Sequence, residues 1–386
     1  MSVTRHALAV GAALAASSPV AAQAPATTQP ASTQPALTKV AEFDHQVTGV
    51  TVSKDGRIFV NFPRWTEDSA VSVAEVKDGR SVPFPDEGWN AWRNARKDEV
   101  SARDHWVCVQ SVVAHGDSLW VLDPAAPAMA ALVPEGPKLV EIDLRTNKVA
   151  RTIAFDTEAA PQGSYLNDVR FSPDGKTAYI TDSGASGALV VVDLGSGRAR
   201  RLLDGEPSTQ PDKSVTVTYD GRPLRRPDGR GVEFAADGIA LSTDGKTLYW
   251  QAIKGKTLYA IPTEALTGWM TSAVVPAALA DRTLAGKIEV VGENGPADGL
   301  IIGRDGRMYV SSPQDDAVKV RDLSAKGSAL TTIVQDPRLR WPDTFGEGPD
   351  GTIYVTTSRI QDSAFYKPDA PAALPTQLWS FKPPAR

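Results

Sequence analysis

Asn167, Asp237, Asp298 and Asp343 each stand seven positions before the Asp of an Asp-Gly turn that opens a strand. Their segments are LNDVRFSPDGKTAYIT from Leu166, ADGIALSTDGKTLYWQ from Ala236, ADGLIIGRDGRMYVSS from Ala297 and PDTFGEGPDGTIYVTT from Pro342. A constant offset from a hairpin turn holds a residue at one depth of a repeated sheet, so the four converge on a common axis if the units are related by symmetry. Three are carboxylates with no basic residue at an equivalent position. Crowded carboxylates repel unless a cation or a shared proton relieves them. The options are a divalent ion, a cationic ligand or raised pKa values.

Two weaker copies complete the set. VTGVTVSKDGRIFVNF from Val47 keeps the frame with Thr48 in the marked position. VQSVVAHGDSLWVLD from Val109 is shorter before its turn, and Gln110 is its best match. The turns fall near Asp55, His115-Gly116, Asp174, Asp244, Asp305 and Asp350, a spacing that suits blades of about four strands. Candidate ligand-binding residues are therefore Thr48, Gln110, Asn167, Asp237, Asp298 and Asp343, with Asn167, Asp237 and Asp298 the candidate metal ligands. Calcium, which takes oxygen donors and tolerates water, suits this set better than zinc does. Asp and Asn also cap turns by bonding local N–H groups, which accounts for Asp174, Asp244, Asp305 and Asp350 in their turns.

The elements that must hold these residues are strands. Runs such as RIFVNF, SLWVLD, TAYITD, TLYWQA, RMYVSS and TIYVTT are bounded by Gly, Pro, Asn or Asp. LVEIDL, VVVDL and VKVRDL read as third strands of their blades. Helical pattern is confined to the neighbourhood of Pro262–Met270. The fold class is all-β, a six-bladed β-propeller with a central channel. Gln377 to Pro383 reads as an outer strand of the last blade, and the segment around Thr38–Phe43 as a strand beside it that closes the ring.

Residues 1–22 read as an export signal: Arg5 and His6 precede an Ala-rich apolar run, and Val20-Ala21-Ala22 offers a cleavage site. Residues 23–38 read as a flexible Pro/Thr/Gln-rich linker and residues 39–386 as the propeller. The expected location is secreted or periplasmic. A net charge of −5 argues against a nucleic-acid partner, and no internal run is long and apolar enough to span a membrane. The one cysteine, Cys108, lies in the apolar run HWVCVQSVV and reads as a buried hydrophobe. Trp65 in NFPRW is expected to pack between blades. The insertion at 203–235 carries Arg222, Arg225, Arg226 and Arg230 and should emerge on the face where the polar ring sits.

The segments NFPRW, PFPDEGWNAW, CVQSVV with LWVLDP, LNDVRFSPDGKTAYITDSG, ADGIALSTDGKTLYW and WPDTFGEGPDGTIYVTTS resemble the yellow / major royal jelly protein family. The resemblance runs over roughly residues 45–382. It implies a secreted six-bladed propeller, some of whose relatives bind biogenic amines in the channel and some of which convert dopachrome. A more distant likeness is to gluconolactonase / senescence-marker propellers, which hold a channel metal. Asn167, Asp237 and Asp298 match such metal positions by motif, whereas Thr48 stands where those proteins carry a first-blade Glu.

Three functions stay open on these residues. The favoured one is a binding propeller that takes a small cationic or polyhydroxylated ligand at the acidic channel mouth. The second is a divalent-metal-dependent lactonase-type hydrolase or isomerase using the same residues. The third is a protein-interaction scaffold.

Overall fold

A computed structural model describes residues 1–2, 34–270, 277–325 and 327–385. The export segment and most of the linker, residues 3–33, fall outside them. Residues 34–386 form one compact unit.

Apolar alternation and turn chemistry build the repeat. In every Asp-Gly turn the glycine takes a positive φ, 66° at Gly175 and 72° at Gly245, as a tight hairpin requires. The Asp side chain closes the same turn: Asp174 Oδ1 accepts from the Lys176 backbone at 3.1 Å and from Ser172 Oγ at 2.6 Å. Each turn joins a first strand to a second. The six first strands are Val50–Val52, Ser111–His115, Leu166–Phe171, Ala236–Leu241, Leu300–Ile302 and Pro342–Glu347. Their partners are Ile58–Asn61, Ser118–Asp123, Thr177–Asp182, Thr247–Ala252, Arg307–Ser312 and Ile353–Thr357.

Third strands are Val73–Lys77, Lys138–Asp143, Ala188–Asp193, Thr257–Pro262, Ala317–Asp322 and Thr376–Phe381. Fourth strands are Arg80–Pro83, Lys148–Ala154, Ala199–Leu202, Glu289–Glu293, Thr331–Gln335 and, from the other end of the chain, Thr38–Phe43. The result is six antiparallel four-stranded sheets, with each first strand lying against the next around a ring. Blades one to six are numbered in chain order by their first strands. This is the six-bladed propeller expected from the repeat.

A blade is covered on both faces, so its middle strands are apolar at almost every position. In blade three, Ala178, Ile180, Val190 and Val192 pack toward blade two, while Tyr179, Leu189 and Val191 pack toward blade four. The helical content near Pro262–Met270 is Thr263–Thr267, and a second helix spans Ala277–Ala285.

Closure differs from expectation in one detail. Gln377–Phe381 belongs to the third strand of blade six, and Thr38–Phe43 is its outermost strand, with Thr38 opposite Ser380 and Phe43 opposite Thr376. Residues 34–38, expected in the linker, already lie on the body. Leu37 packs against the cluster shared by blades five and six, and Gln34 Oε1 accepts from the Gln335 backbone at 3.1 Å.

Candidate functional site

The site grows from the first residues of the inner strands. Three inner strands are irregular there: the pairing register shifts between Leu166 and Val169, between Ala236 and Gly238, and between Pro342 and Phe345. A bulge lets a strand re-aim a side chain out of its ladder, and Asn167, Asp237 and Asp343 lie inside these irregularities. Close approach around the ring needs residues without a Cβ. A Cβ on Gly238 would stand 2.1 Å from the Asp298 carbonyl oxygen, and one on Gly299 equally near that of Asp343. This explains the Asp-Gly pairs at 237–238 and 298–299. Hydroxyls at the ends of the second strands stitch the ring: Thr181 Oγ1 donates to the Asp237 carbonyl at 2.6 Å and Thr356 Oγ1 to the Thr48 carbonyl at 2.5 Å.

Gln110, Asn167, Asp237, Asp298 and Asp343 line one cavity at this end of the ring. Connections between second and third strands add Trp65, Met129, Ser183, Ile253 and Ile360, and Tyr165 and Phe234 complete the wall. Its free volume is about 20 Å³, room for about one water. Thr48 is not among the lining residues. It is fully buried, and its hydroxyl accepts from Asn61 Nδ2 at 2.9 Å. Trp65 packs between blades, against Tyr165 of blade three and Phe365 of blade six, and also faces the cavity, where its Nε1 donates to the Tyr165 hydroxyl at 2.5 Å. Tyr165 passes its own proton to Gln110 Oε1 at 2.9 Å.

Burial and mutual repulsion favour the protonated form of these carboxyls. Asp237 and Asp298 hydrogen-bond each other, and Asp298 Oδ2 also accepts from Trp341 Nε1 at 2.6 Å. Burial, then the charges of Asp298, Asp168 and Asp343, drives Asp237 well above the ordinary carboxylate range. Burial does the same to Asp343, with Asp298 adding to it. Asp298 is pushed up by burial to about 7, against the Trp341 bond, which favours its ionised form. Below them the ring is crossed by Arg170. Its Nη2 donates to the Leu300 carbonyl at 2.8 Å, reaching from blade three to blade five, and its guanidinium stands 3.7 Å from Asp168. The Asn167 amide, on a residue only 5% exposed, faces the cavity beside these carboxyls.

Several of these residues escaped the sequence reading. Tyr165 and Trp341 stand two positions before Asn167 and Asp343, so the repeat frame carried a signal for them. Thr181, Ser311, Thr356, Asn61 and Gln251 likewise share a place near the end of their second strands. Nothing marked Asp168 and Arg170. Cys108 is fully buried as expected, and burial pushes its thiol up to about 12, which disfavours the thiolate a nucleophile needs.

A divalent ion does not fit the arrangement as it stands. The donors are all oxygens, yet among the described residues no group of three or more His, Cys, Asp or Glu is placed to hold a metal. Asp237 and Asp298 turn their oxygens on each other and on Trp341.

Fold and ring place the chain in the class of six-bladed propellers. A family model described as major royal jelly protein matches residues 108–372, and the chain belongs to that family. No curated protein sequence matches it significantly. Among solved structures it is similar to a luciferin-regenerating enzyme at 11% identity and TM-score 0.52, covering 90% of this chain and 95% of that one. A gluconolactonase from Xanthomonas campestris is similar at 13% identity and TM-score 0.51, over 91% and 90% of the two chains. The calcium-binding protein regucalcin from Agrobacterium tumefaciens is similar at 16% identity and TM-score 0.50, over 88% and 91%. At these identities the likeness is one of fold. No helix among the described residues is long and apolar enough to cross a membrane.

Proposed function

We propose that this protein is an exported binding propeller that takes a small organic cation at the acidic end of its ring. The observation that carries the reading is the crowding of Asp237, Asp298 and Asp343 in one cavity beside the Asn167 amide, with no basic side chain among the lining residues. An ammonium entering the cavity takes over the role of the shared protons, so binding releases protons and tightens as the pH rises toward neutrality. Trp65, Tyr165 and Phe234 supply aromatic surface beside the charge, which suits cation–π contact. Export rests on the N-terminal segment and on family membership.

Titration calorimetry with tyramine, in two buffers of different ionisation enthalpy, tests this. Binding with proton release is expected, weakened about tenfold or more in Asn167→Ala and Asp298→Asn. Equal affinity in both variants defeats the reading. Turnover of a sugar lactone that depends on calcium would replace it with the hydrolase. A polyol bound without proton release would replace it with a neutral-ligand site.

A further inference from the structure

The longest connection between blades, residues 203–235, does not stop at the blades it joins. It leaves blade three, returns to blade four, and on the way fastens itself to blades five and six. A short hairpin pairs Thr218–Tyr219 with Arg222–Pro223. From it the Thr218 backbone donates to Gln314 Oε1 at 2.8 Å, and the Tyr219 hydroxyl donates to Asp316, both on blade five. Asp220 pairs with Arg340 at 3.3 Å, and the Tyr219 ring stacks on Trp341 with centroids 6.4 Å apart and planes at 16°. Further along, the Arg226 guanidinium lies over Phe365 at 5.2 Å and over Phe234 at 6.0 Å.

The underside of this segment is apolar and the top is not. Val217, Tyr219 and Val232 are buried in the same cluster as Trp65, Tyr165, Ile253 and Ile360, which wall the cavity. Arg222, Arg225 and Arg230 are exposed. Phe234 belongs to both the segment and the cavity wall. The space beneath admits about one water. The cavity opens partly to the outside, but its depth is that narrow, so a larger molecule is enclosed beside the carboxyls only if part of the wall moves. Of the wall's pieces, this one is held to its far neighbours by ring stacking, one ion pair and a few hydrogen bonds. Local opening draws on segments held in this way.

We propose that residues 214–234 are a lid over the carboxyl cluster, with Tyr219 and Arg226 as its latches, and that molecules larger than water reach Asn167 and the carboxyls when it lifts. Tyr219 closes the lid onto Trp341, and Arg226 closes it onto the ring of Phe365. The lid depends on the binding reading only for the identity of what enters; access is measurable without a ligand.

Ser183→Cys places a thiol in the cavity wall, and the buried Cys108 serves as a second reporter of global opening. The probe is 2-(trimethylammonium)ethyl methanethiosulfonate, its reaction followed by mass spectrometry. With the lid intact, modification of the new thiol should be slow. Tyr219→Ala and Arg226→Ala, each made in that background, should speed it by about tenfold or more while Cys108 stays unmodified, since each removes a stacking contact from the closed state only. The proposal is overturned if neither latch variant accelerates the reaction. It is equally overturned if the new thiol and Cys108 react in step, which would mean opening by global unfolding. Unaccelerated labelling with intact tyramine binding removes the lid and leaves the binding reading; accelerated labelling without tyramine binding does the reverse.

Discussion

Asp298 sits at the centre of a small proton economy. It faces Asp237, accepts from Trp341, and lies above the Asp168–Arg170 pair. Its folded pKa is raised, so the sign of its linkage is opposite to that of a surface carboxylate. The folded state holds the proton more tightly than the unfolded chain, and this stability is fully present below the ordinary carboxylate range. It is lost as pH rises through the folded value of about 7. Thermal unfolding of the wild type should therefore weaken by a few degrees between about pH 5 and 8, relative to Asp298→Asn. Parallel curves for the two proteins would show that the carboxyl does not titrate in this window. The types of the ring residues were legible in the sequence because the hairpin fixes their depth. Their protonation was not, because it depends on distances between blades that no spacing along the chain reports. Thr48 shows the same limit: it keeps the frame, but Asn61 claims its hydroxyl.

At the scale of the strand, the ring is held by contacts between neighbouring first strands. Thr181 and Thr356 each donate to a carbonyl of the adjoining blade. Thr356→Val keeps the shape and orphans the buried Thr48 carbonyl, so a loss of about 1–3 kcal/mol is expected in denaturant unfolding. Gly299→Ala has no room for its methyl and should cost about 1–3 kcal/mol, or more if the strand cannot shift. A wild-type midpoint for Gly299→Ala would show that the ring has slack. Strand order, turn positions and the third strands ending in Asp-Leu were all readable, since hairpin turns and apolar runs are local signals. The bulges at Asn167, Asp237 and Asp343 were not, because a bulge is a relation between two strands. Trp341 holds a left-handed φ of 52°, unfavourable for a bulky residue, in a position framed by Tyr219 on one side and Asp298 on the other.

On the scale of the whole molecule, six weakly similar segments were enough to count blades, and the count agrees with the sheets. The insertion at 203–235 was correctly expected near the polar ring. Its reach to blades five and six was not, since its anchors Gln314, Asp316 and Trp341 lie 96, 97 and 122 residues further along the chain than the residues they hold. Deleting residues 1–43 removes the outermost strand of blade six, with its buried Ala41 and Phe43, and bares the edge of Thr376–Phe381. The truncated chain should lose at least about 3 kcal/mol and self-associate through that edge. A monomer with unchanged unfolding would show that the closing strand is dispensable.

That same strand sets a clock on biosynthesis. Synthesis runs from the amino end, so Thr38–Phe43 is among the first parts of the propeller to leave the ribosome, while its partner Thr376–Phe381 is among the last. Blades one to five can assemble in order as they emerge, but the sixth needs both ends at once. Until the final residues are free of the ribosome, the nascent chain carries an unpaired leading strand and an open ring. Chaperone engagement or aggregation before release would act on that waiting strand.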